Sequence, residues 1–136
     1  MDIILDADHC IAGRTASRAA KELLKGKTVA IVNAEKAVIS GSPRATIVAY
    51  RERVDRGDPY HGPFYPRTPE RILKRMVRGM LPYKKTMGRD ALKHLRVFVS
   101  VPADLQSLPT VKAKDLPHGQ KAITLGELAL HLRMRA

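Results

Sequence analysis

A continuous apolar segment near the start of the chain constrains the fold more than any other feature. Residues 28–33 read Thr-Val-Ala-Ile-Val-Asn, without the alternation of apolar and polar residues that marks a strand with one solvated face. A strand of this kind is buried on both faces, as in a parallel sheet that is covered by helices. The sequence therefore predicts an α/β fold with this segment as an inner strand.

The flanking segments complete a β-α-β unit around that strand. Residues 3–5 form a short apolar run, and residues 14–25 carry alanine and leucine at helical spacing. Gly26 follows, which suits a helix end because glycine adopts the left-handed backbone conformation without strain. A third strand is predicted at residues 37–39.

The remaining elements are marked by their start and stop signals. Ser42-Pro43 and Thr68-Pro69 each place a capping residue before a proline at the first helical position, and Thr124 with Glu127 forms a capping-box pattern. The predicted elements are helices at 42–55, 68–80, 89–95 and 124–133, a strand at 97–101, and an extended segment at 102–122.

Strands that alternate with helices predict a three-layer α/β/α fold with a mainly parallel four-stranded sheet. A basic helix-and-loop insertion and the extended C-terminal segment are added to it. A length of 136 residues suits one domain over residues 1–136.

Charge predicts the class of partner. The chain has 25 Lys+Arg against 13 Asp+Glu, and residues 44–96 alone hold 14 Lys+Arg and 5 Asp+Glu. A localised excess of this size indicates a polyanion site, and nucleic acid is the favoured polyanion. A protein that binds anionic membranes would usually also carry a lipidation signal or a terminal amphipathic helix, and neither is evident.

The helix predicted at 68–80 divides into two faces. At about 100° per residue, four cations share about a third of its circumference without an acid among them. They are Arg71, Lys74, Arg75 and Arg78, called the basic strip below. The opposite side is apolar, with Ile72, Leu73, Met76, Val77 and Met80. A merely solvated face would normally include acids that relieve the repulsion, so the strip favours a polyanion ligand.

Two loops beside this helix add further candidates for RNA contact. Residues 56–68, called the proline-rich loop below, hold Tyr60 and Tyr65, whose rings can stack on unpaired bases. Phe64 is equally compatible with pinning the loop to the protein. In the second loop, at 82–89, backbone amides near Gly88 are expected to approach phosphates. Charge alone adds Arg51, Arg53, Lys74, Arg75, Lys84, Lys85 and Lys93 to the candidates.

An enzyme is the first alternative. Asp6, Asp8 and His9 follow the first strand, where open α/β sheets place their ligands, and they could bind a metal or transfer protons. The other histidines lack metal-ligand spacing, and no Gly-rich nucleotide fingerprint occurs. No catalytic residue, metal or cofactor is therefore expected, and Cys10 is predicted to be a small buried residue.

Location follows from what the sequence lacks. No apolar run approaches the roughly 20 residues of a membrane span, and Met1-Asp2 does not open a secretory signal. The lone Cys10 forms no internal disulfide. An intracellular protein is expected.

Four stretches in order resemble the universal ribosomal protein L13 family in its archaeal and eukaryotic form. They are Asp6-Ala7 with Gly13-Arg14-x-Ala16-Ser17, Val32-Asn33-Ala34-Glu35-Lys36 with Ile39-Ser40-Gly41, Arg67-x-Pro69-x-Arg71-Ile72, and Val77-Arg78-Gly79-Met80-Leu81-Pro82 with Gly88-Arg89-x-Ala91-Leu92 and Leu95-x-Val97-Phe98. The resemblance covers nearly the whole chain and is weakest from residue 103 to 120.

The resemblance implies a structural constituent of the large ribosomal subunit in the cytoplasm, with large-subunit ribosomal RNA and neighbouring ribosomal proteins as partners. Five RNA-contact candidates lie inside the matching motifs, namely Arg14, Arg67, Arg71, Arg78 and Arg89. Small-molecule substrates and membranes are not expected partners. A regulatory RNA binder that acts away from the ribosome is the second alternative.

Overall fold

The computed structural model describes residues 1–113, 115–117 and 119–133, so residues 114 and 118 of the predicted extended segment lie outside it. In chain order, its elements are β1 (Ile3–Asp6), α1 (Ala12–Leu24), β2 (Val29–Val32), β3 (Val38–Ser40), α2 (Pro43–Asp55), α3 (Pro69–Met80), α4 (Thr86–Lys93), β4 (Leu95–Val97), β5 (Val111–Lys112), β6 (Ala122–Thr124) and α5 (Leu125–Arg133). Short 3-10 helices lie at Ala34–Lys36 and Ala103–Leu105.

The main sheet has four strands in the order β4-β2-β1-β5, and each neighbouring pair is parallel. All four residues of β2 are buried, which confirms that residues 28–33 include an inner strand. Because successive side chains point to opposite faces, Val29 and Ile31 enter one core and Ala30 and Val32 enter another. The absence of alternation in the sequence therefore reflects burial on both sides.

Cover on both faces of the sheet confirms the three-layer α/β/α class. Helices α1 and α3 pack together in the larger core, with Leu5, Val29 and Ile31 of the sheet. On the other face, Phe98, Val101 and Leu105 cover Ile4, Ala30 and Val32. This outer layer is thin, because a single 3-10 turn takes the place of a long helix.

The strand predicted at 37–39 forms as β3, but it lies outside the main sheet. It pairs with β6 in an antiparallel two-stranded sheet. Asn33 has a left-handed backbone conformation, with φ at 57°, and the 3-10 helix follows it directly, so the chain turns away from β2. The fourth strand of the main sheet is instead β5, within the segment predicted to be merely extended.

Two other boundaries differ from the sequence prediction. The strand expected at 97–101 lies at Leu95–Val97, and residues 98–101 leave the sheet so that Phe98 and Val101 can cover its outer face. Helix α4 begins at Thr86 rather than residue 89. Gly88 is buried within it, and a Cβ there would collide with the Pro82 carbonyl. The missing side chain of Gly88 therefore serves close packing against Pro82.

The other helix predictions hold. Helix α2 runs from Pro43 to Asp55 with Tyr50 buried, and α5 begins after Thr124, whose hydroxyl accepts a hydrogen bond of 3.2 Å from the Glu127 amide. Cys10 is fully buried, as predicted. None of the helices in the described part of the chain combines the length and apolarity that crossing a bilayer requires.

The packing of Gly88 can be tested by a pair of glycine substitutions. Gly88→Ala should lower the free energy of unfolding by about 1–3 kcal/mol, because the methyl group meets fixed backbone. Gly79→Ala places its methyl group where nothing lies within 4 Å and should leave that free energy unchanged or raise it by up to about 1 kcal/mol. Urea denaturation measures both, and equal losses would contradict the assigned packing.

Candidate nucleic-acid interface

The rotation of α3 is set by its buried side. Ile72, Leu73 and Val77 are fully buried and pack in the larger core, where α3 lies against α1. Met80, which the sequence placed on the same side, is 45% exposed. It is the last residue of the helix, and Leu81 fills the buried position next to it instead.

The basic strip faces away from that core. Arg71, Lys74 and Arg75 are exposed, and within the described residues no carboxylate lies within 4.0 Å of their charged groups. Glu70, the one acid of α3, lines a separate depression beside Leu130. The strip is therefore acid-free in three dimensions as well as in sequence.

Arg78 is held at the end of the strip by an aromatic ring. Its guanidinium carbon lies 4.4 Å from the centroid of the Tyr83 ring, a cation-π distance, and the side chain is half-buried. Tyr83 thereby fixes the direction of this cation, while the other three cations of the strip stay more exposed.

A groove of about 760 Å³ separates α3 from the end of the proline-rich loop, and it is called the α3 groove below. All four cations of the basic strip line it, together with Arg67 from the loop. The residues of the opposite wall are Pro63, Phe64, Tyr65, Pro66 and Thr68, and Leu92 of α4 also contributes. The structure thus brings five of the sequence-predicted cations to one concave surface.

The proline-rich loop is folded onto the body of the protein. The amides of Asp58 and Gly62 each donate to the other residue's carbonyl, at 3.1 and 3.0 Å. Tyr65 meets Tyr50 of α2 edge to face, with ring centroids 5.9 Å apart. Tyr65 is half-buried and anchors the loop, so much of the ring predicted to meet RNA is turned toward the protein.

Arg53 belongs to the same cluster. Its guanidinium lies 4.7 Å from the Tyr50 ring and 5.9 Å from the Tyr65 ring. A hydrogen bond to Tyr65 raises the pKa of this guanidinium, and burial raises the pKa of Tyr50. The cluster therefore holds a charged arginine over the neutral phenol of Tyr50 and beside the Tyr65 ring.

Two other predicted arginines donate to the protein's own backbone. Arg51 donates to the His131 carbonyl at 3.1 Å, near the end of α5. Arg89 donates to the carbonyls of Tyr83 and Lys84 at 3.1 and 3.4 Å and so braces the turn before α4. These contacts use donors of two RNA-contact candidates, Arg51 from charge alone and Arg89 from the family resemblance.

The remaining candidates lie outside the α3 groove. Lys93 is 3.6 Å from Asp90, in an exposed ion pair. Arg14, Lys84 and Lys85 are exposed on α1 and on the turn before α4, and Tyr60 is 88% exposed at the tip of the loop. Phe64 lines the groove and is 75% exposed. From the sequence, RNA contact and packing against the protein were equally compatible with this residue. Its position between Pro63 and Pro66 was the sequence feature that could have indicated exposure.

The acidic loop after β1 has a structural use. One carboxylate oxygen of Asp6 accepts from the Asn33 side-chain amide at 2.9 Å and from the Asp8 amide at 3.0 Å. It therefore ties the ends of β1 and β2 together. Across residues 1–113, 115–117 and 119–133, no group of three or more His, Cys, Asp and Glu side chains is placed to hold a metal.

Comparison with known proteins points to one family. The family model described as Ribosomal protein L13 matches residues 1–104. Large ribosomal subunit protein uL13 of Methanosarcina barkeri is 49% identical over 131 residues, covering 93% of this chain and 94% of the relative. The proteins of the same name from Archaeoglobus fulgidus and Methanococcoides burtonii are 45% and 44% identical, covering 97% and 95% of this chain and 88% and 96% of their own lengths.

The anchoring role of Tyr65 can be measured against its neighbour Tyr60. Tyr65→Ala should lower the free energy of unfolding by about 1–3 kcal/mol, because it removes a half-buried ring from an aromatic pair. Tyr60→Ala, on the same loop but exposed, should change it by less than about 0.5 kcal/mol. Thermal or urea unfolding reports both values, and a loss for Tyr60→Ala as large as that for Tyr65→Ala would contradict the described loop.

Proposed function

The chain belongs to the ribosomal protein L13 family, and from that premise we propose that it is a structural constituent of the large ribosomal subunit. In this role it binds and organises large-subunit ribosomal RNA during assembly and in the mature, cytoplasmic ribosome. The role is structural, and no catalytic step is assigned to it. Neighbouring ribosomal proteins complete its surroundings.

The observation that carries this proposal is the acid-free basic strip along the α3 groove. Closely spaced cations on one helix repel one another. The described residues place no carboxylate beside the strip, so RNA phosphates supply the negative charge that offsets this repulsion. Release of condensed ions from the RNA then drives binding. The concave shape lets several phosphates approach the strip at once.

Recognition would depend on folded RNA shape. Lysine and arginine reach phosphates and 2′-hydroxyl groups, which position a protein on RNA without reading sequence. The contact set we propose has the strip and Arg67 at its centre, with Arg14, Lys84, Lys85, Lys93 and Tyr60 around it. Four further residues contact RNA only through the part of the side chain that is not already in contact with the protein. They are Arg51, Arg53, Tyr65 and Arg89.

The whole of residues 1–136 is proposed to act as one RNA-binding unit, because α5 packs against both α2 and α3. The depression on the other side of α3 suits a neighbouring protein better than RNA. It contains two carboxylates, Glu35 and Glu70, and one cation, Arg133, beside Leu130, which is 61% exposed. Carboxylates there would repel phosphates, whereas a basic and partly apolar protein surface complements them.

Removing the three exposed cations of the strip tests the proposal. The variant Arg71→Gln, Lys74→Gln, Arg75→Gln should bind large-subunit ribosomal RNA at least about tenfold more weakly, and the slope of log K against log salt should fall by roughly 2–3. Its free energy of unfolding should change by less than about 0.5 kcal/mol, since these side chains lie off the core. Arg78 is left in place because Tyr83 holds it.

The matched control removes the same charge elsewhere, as Lys21→Gln, Lys36→Gln, Lys121→Gln, at three exposed lysines. It should reduce affinity much less, because these residues lie outside the 44–96 segment. For the unaltered protein, affinity should fall about a thousandfold between 50 and 200 mM salt if six or more phosphates are neutralised. Salt-insensitive binding, or equal losses in the two variants, would count against the strip as the RNA site.

A further inference from the structure

We propose that the α3 groove binds one unpaired RNA nucleotide, with its base against Phe64 and its phosphates against the basic strip. The inference rests on the proposed function and adds to it the kind of RNA feature that this surface takes. It makes the groove a site for a base that has left the helical stack, not only a site for backbone phosphates.

The exposure of Phe64 is the first observation. Its ring is 75% exposed, although burying a phenylalanine side chain is among the more favourable contributions that a residue of this size can make. Pro63, Tyr65, Pro66 and Leu92 surround the same groove, so the exposed ring belongs to a largely apolar wall. A flat apolar partner would cover it.

The charge on the facing wall restricts what that partner can be. Arg67 and the four cations of the basic strip line the groove, and no carboxylate does. The occupant must therefore join a flat apolar surface to negative charge. A nucleotide has both, and every base offers a face for stacking. A fully paired RNA helix presents its phosphates but keeps its base faces inside the stack, so it cannot cover Phe64.

The groove is also formed in advance. Gly57 lies so close to the Pro63 carbonyl that a Cβ at that position would reach within 2.5 Å of its oxygen. The paired amides of Asp58 and Gly62 and the Tyr65–Tyr50 contact hold the two ends of the loop. Little loop ordering is then needed on binding, which favours affinity. A volume of about 760 Å³ lies within the range of about 300–1,000 Å³ found for small-ligand sites.

Chemical footprinting on large-subunit ribosomal RNA from the organism that encodes this protein tests the proposal. Dimethyl sulfate and a carbodiimide report on the base edges, and hydroxyl radicals report on the backbone. The unaltered protein should protect at least one unpaired base. Phe64→Ala should restore the reactivity of that base and weaken binding roughly tenfold, while the backbone protections persist at saturating protein.

Two further variants complete the experiment. Phe64→Trp keeps a stacking ring and should keep the base protected. His61→Ala, which removes an exposed side chain of the same loop outside the groove, should also keep it. Phe64 is too exposed for its removal to unfold the protein, and circular dichroism of each variant checks this.

The outcomes separate this inference from the proposed function. If Phe64→Ala leaves every base protection in place while the triple strip variant removes backbone protection, the nucleotide site is wrong and RNA binding by the strip stands. If the strip variant leaves the whole footprint unchanged, the proposed use of the strip fails as well. Loss of the same base protection in His61→Ala would also overturn the assignment to the groove.

Discussion

The burial of Ile72, Leu73 and Val77 in the core between α3 and α1 determines the rest of the functional surface. Fully burying each of these side chains contributes about 1.5–3 kcal/mol, whereas each like-charge pair along a helix costs only about 0.2–0.5 kcal/mol. The apolar contacts therefore outweigh the repulsion within the basic strip. They fix the rotation of the helix, and the cations face outward whether or not a ligand is present.

The proline-rich loop converts this charged helix into a concave site. Tyr65 packs on Tyr50, Arg53 lies over both rings, and Phe64 is left at the groove wall. One aromatic residue of the loop anchors it, and the adjacent one is available to a ligand. On the other side of α3, Glu70 and Leu130 form a surface of different chemistry. The helix thus separates a basic, carboxylate-free groove from a depression that contains carboxylates and an exposed leucine.

Periodicity and turn residues were sufficient to predict much of this architecture. The unbroken apolar run of β2, the helical spacing of α1 and the proline starts of α2 and α3 each have one local physical cause that can be read directly. Strand β5 had no such signal. It has two exposed residues and joins the sheet only by backbone pairing with β1, and backbone pairing leaves no pattern of side chains. β3 was identified, but the turn at Asn33 that removes it from the main sheet depends on one backbone conformation.

The candidate site was predictable to a similar extent. The strip follows from helix geometry alone, so its four cations and the side they share could be stated in advance. Charge counting could not tell that Arg51 and Arg89 donate to nearby carbonyls, nor that Tyr65 would be the anchor and Phe64 the exposed ring. These assignments depend on contacts between segments far apart in sequence or on the exact path of a loop. Gly88 is a similar case, because the sequence does not show that its missing side chain serves packing against the Pro82 carbonyl.

A cryo-electron microscopy map of the large ribosomal subunit from the organism that encodes this protein would show whether the basic strip binds RNA. We expect RNA phosphates within hydrogen-bonding distance of Arg71, Lys74 and Arg75, with α3 in the rotation described. A map in which these three side chains face bulk solvent, or meet only protein carboxylates, would contradict this expectation.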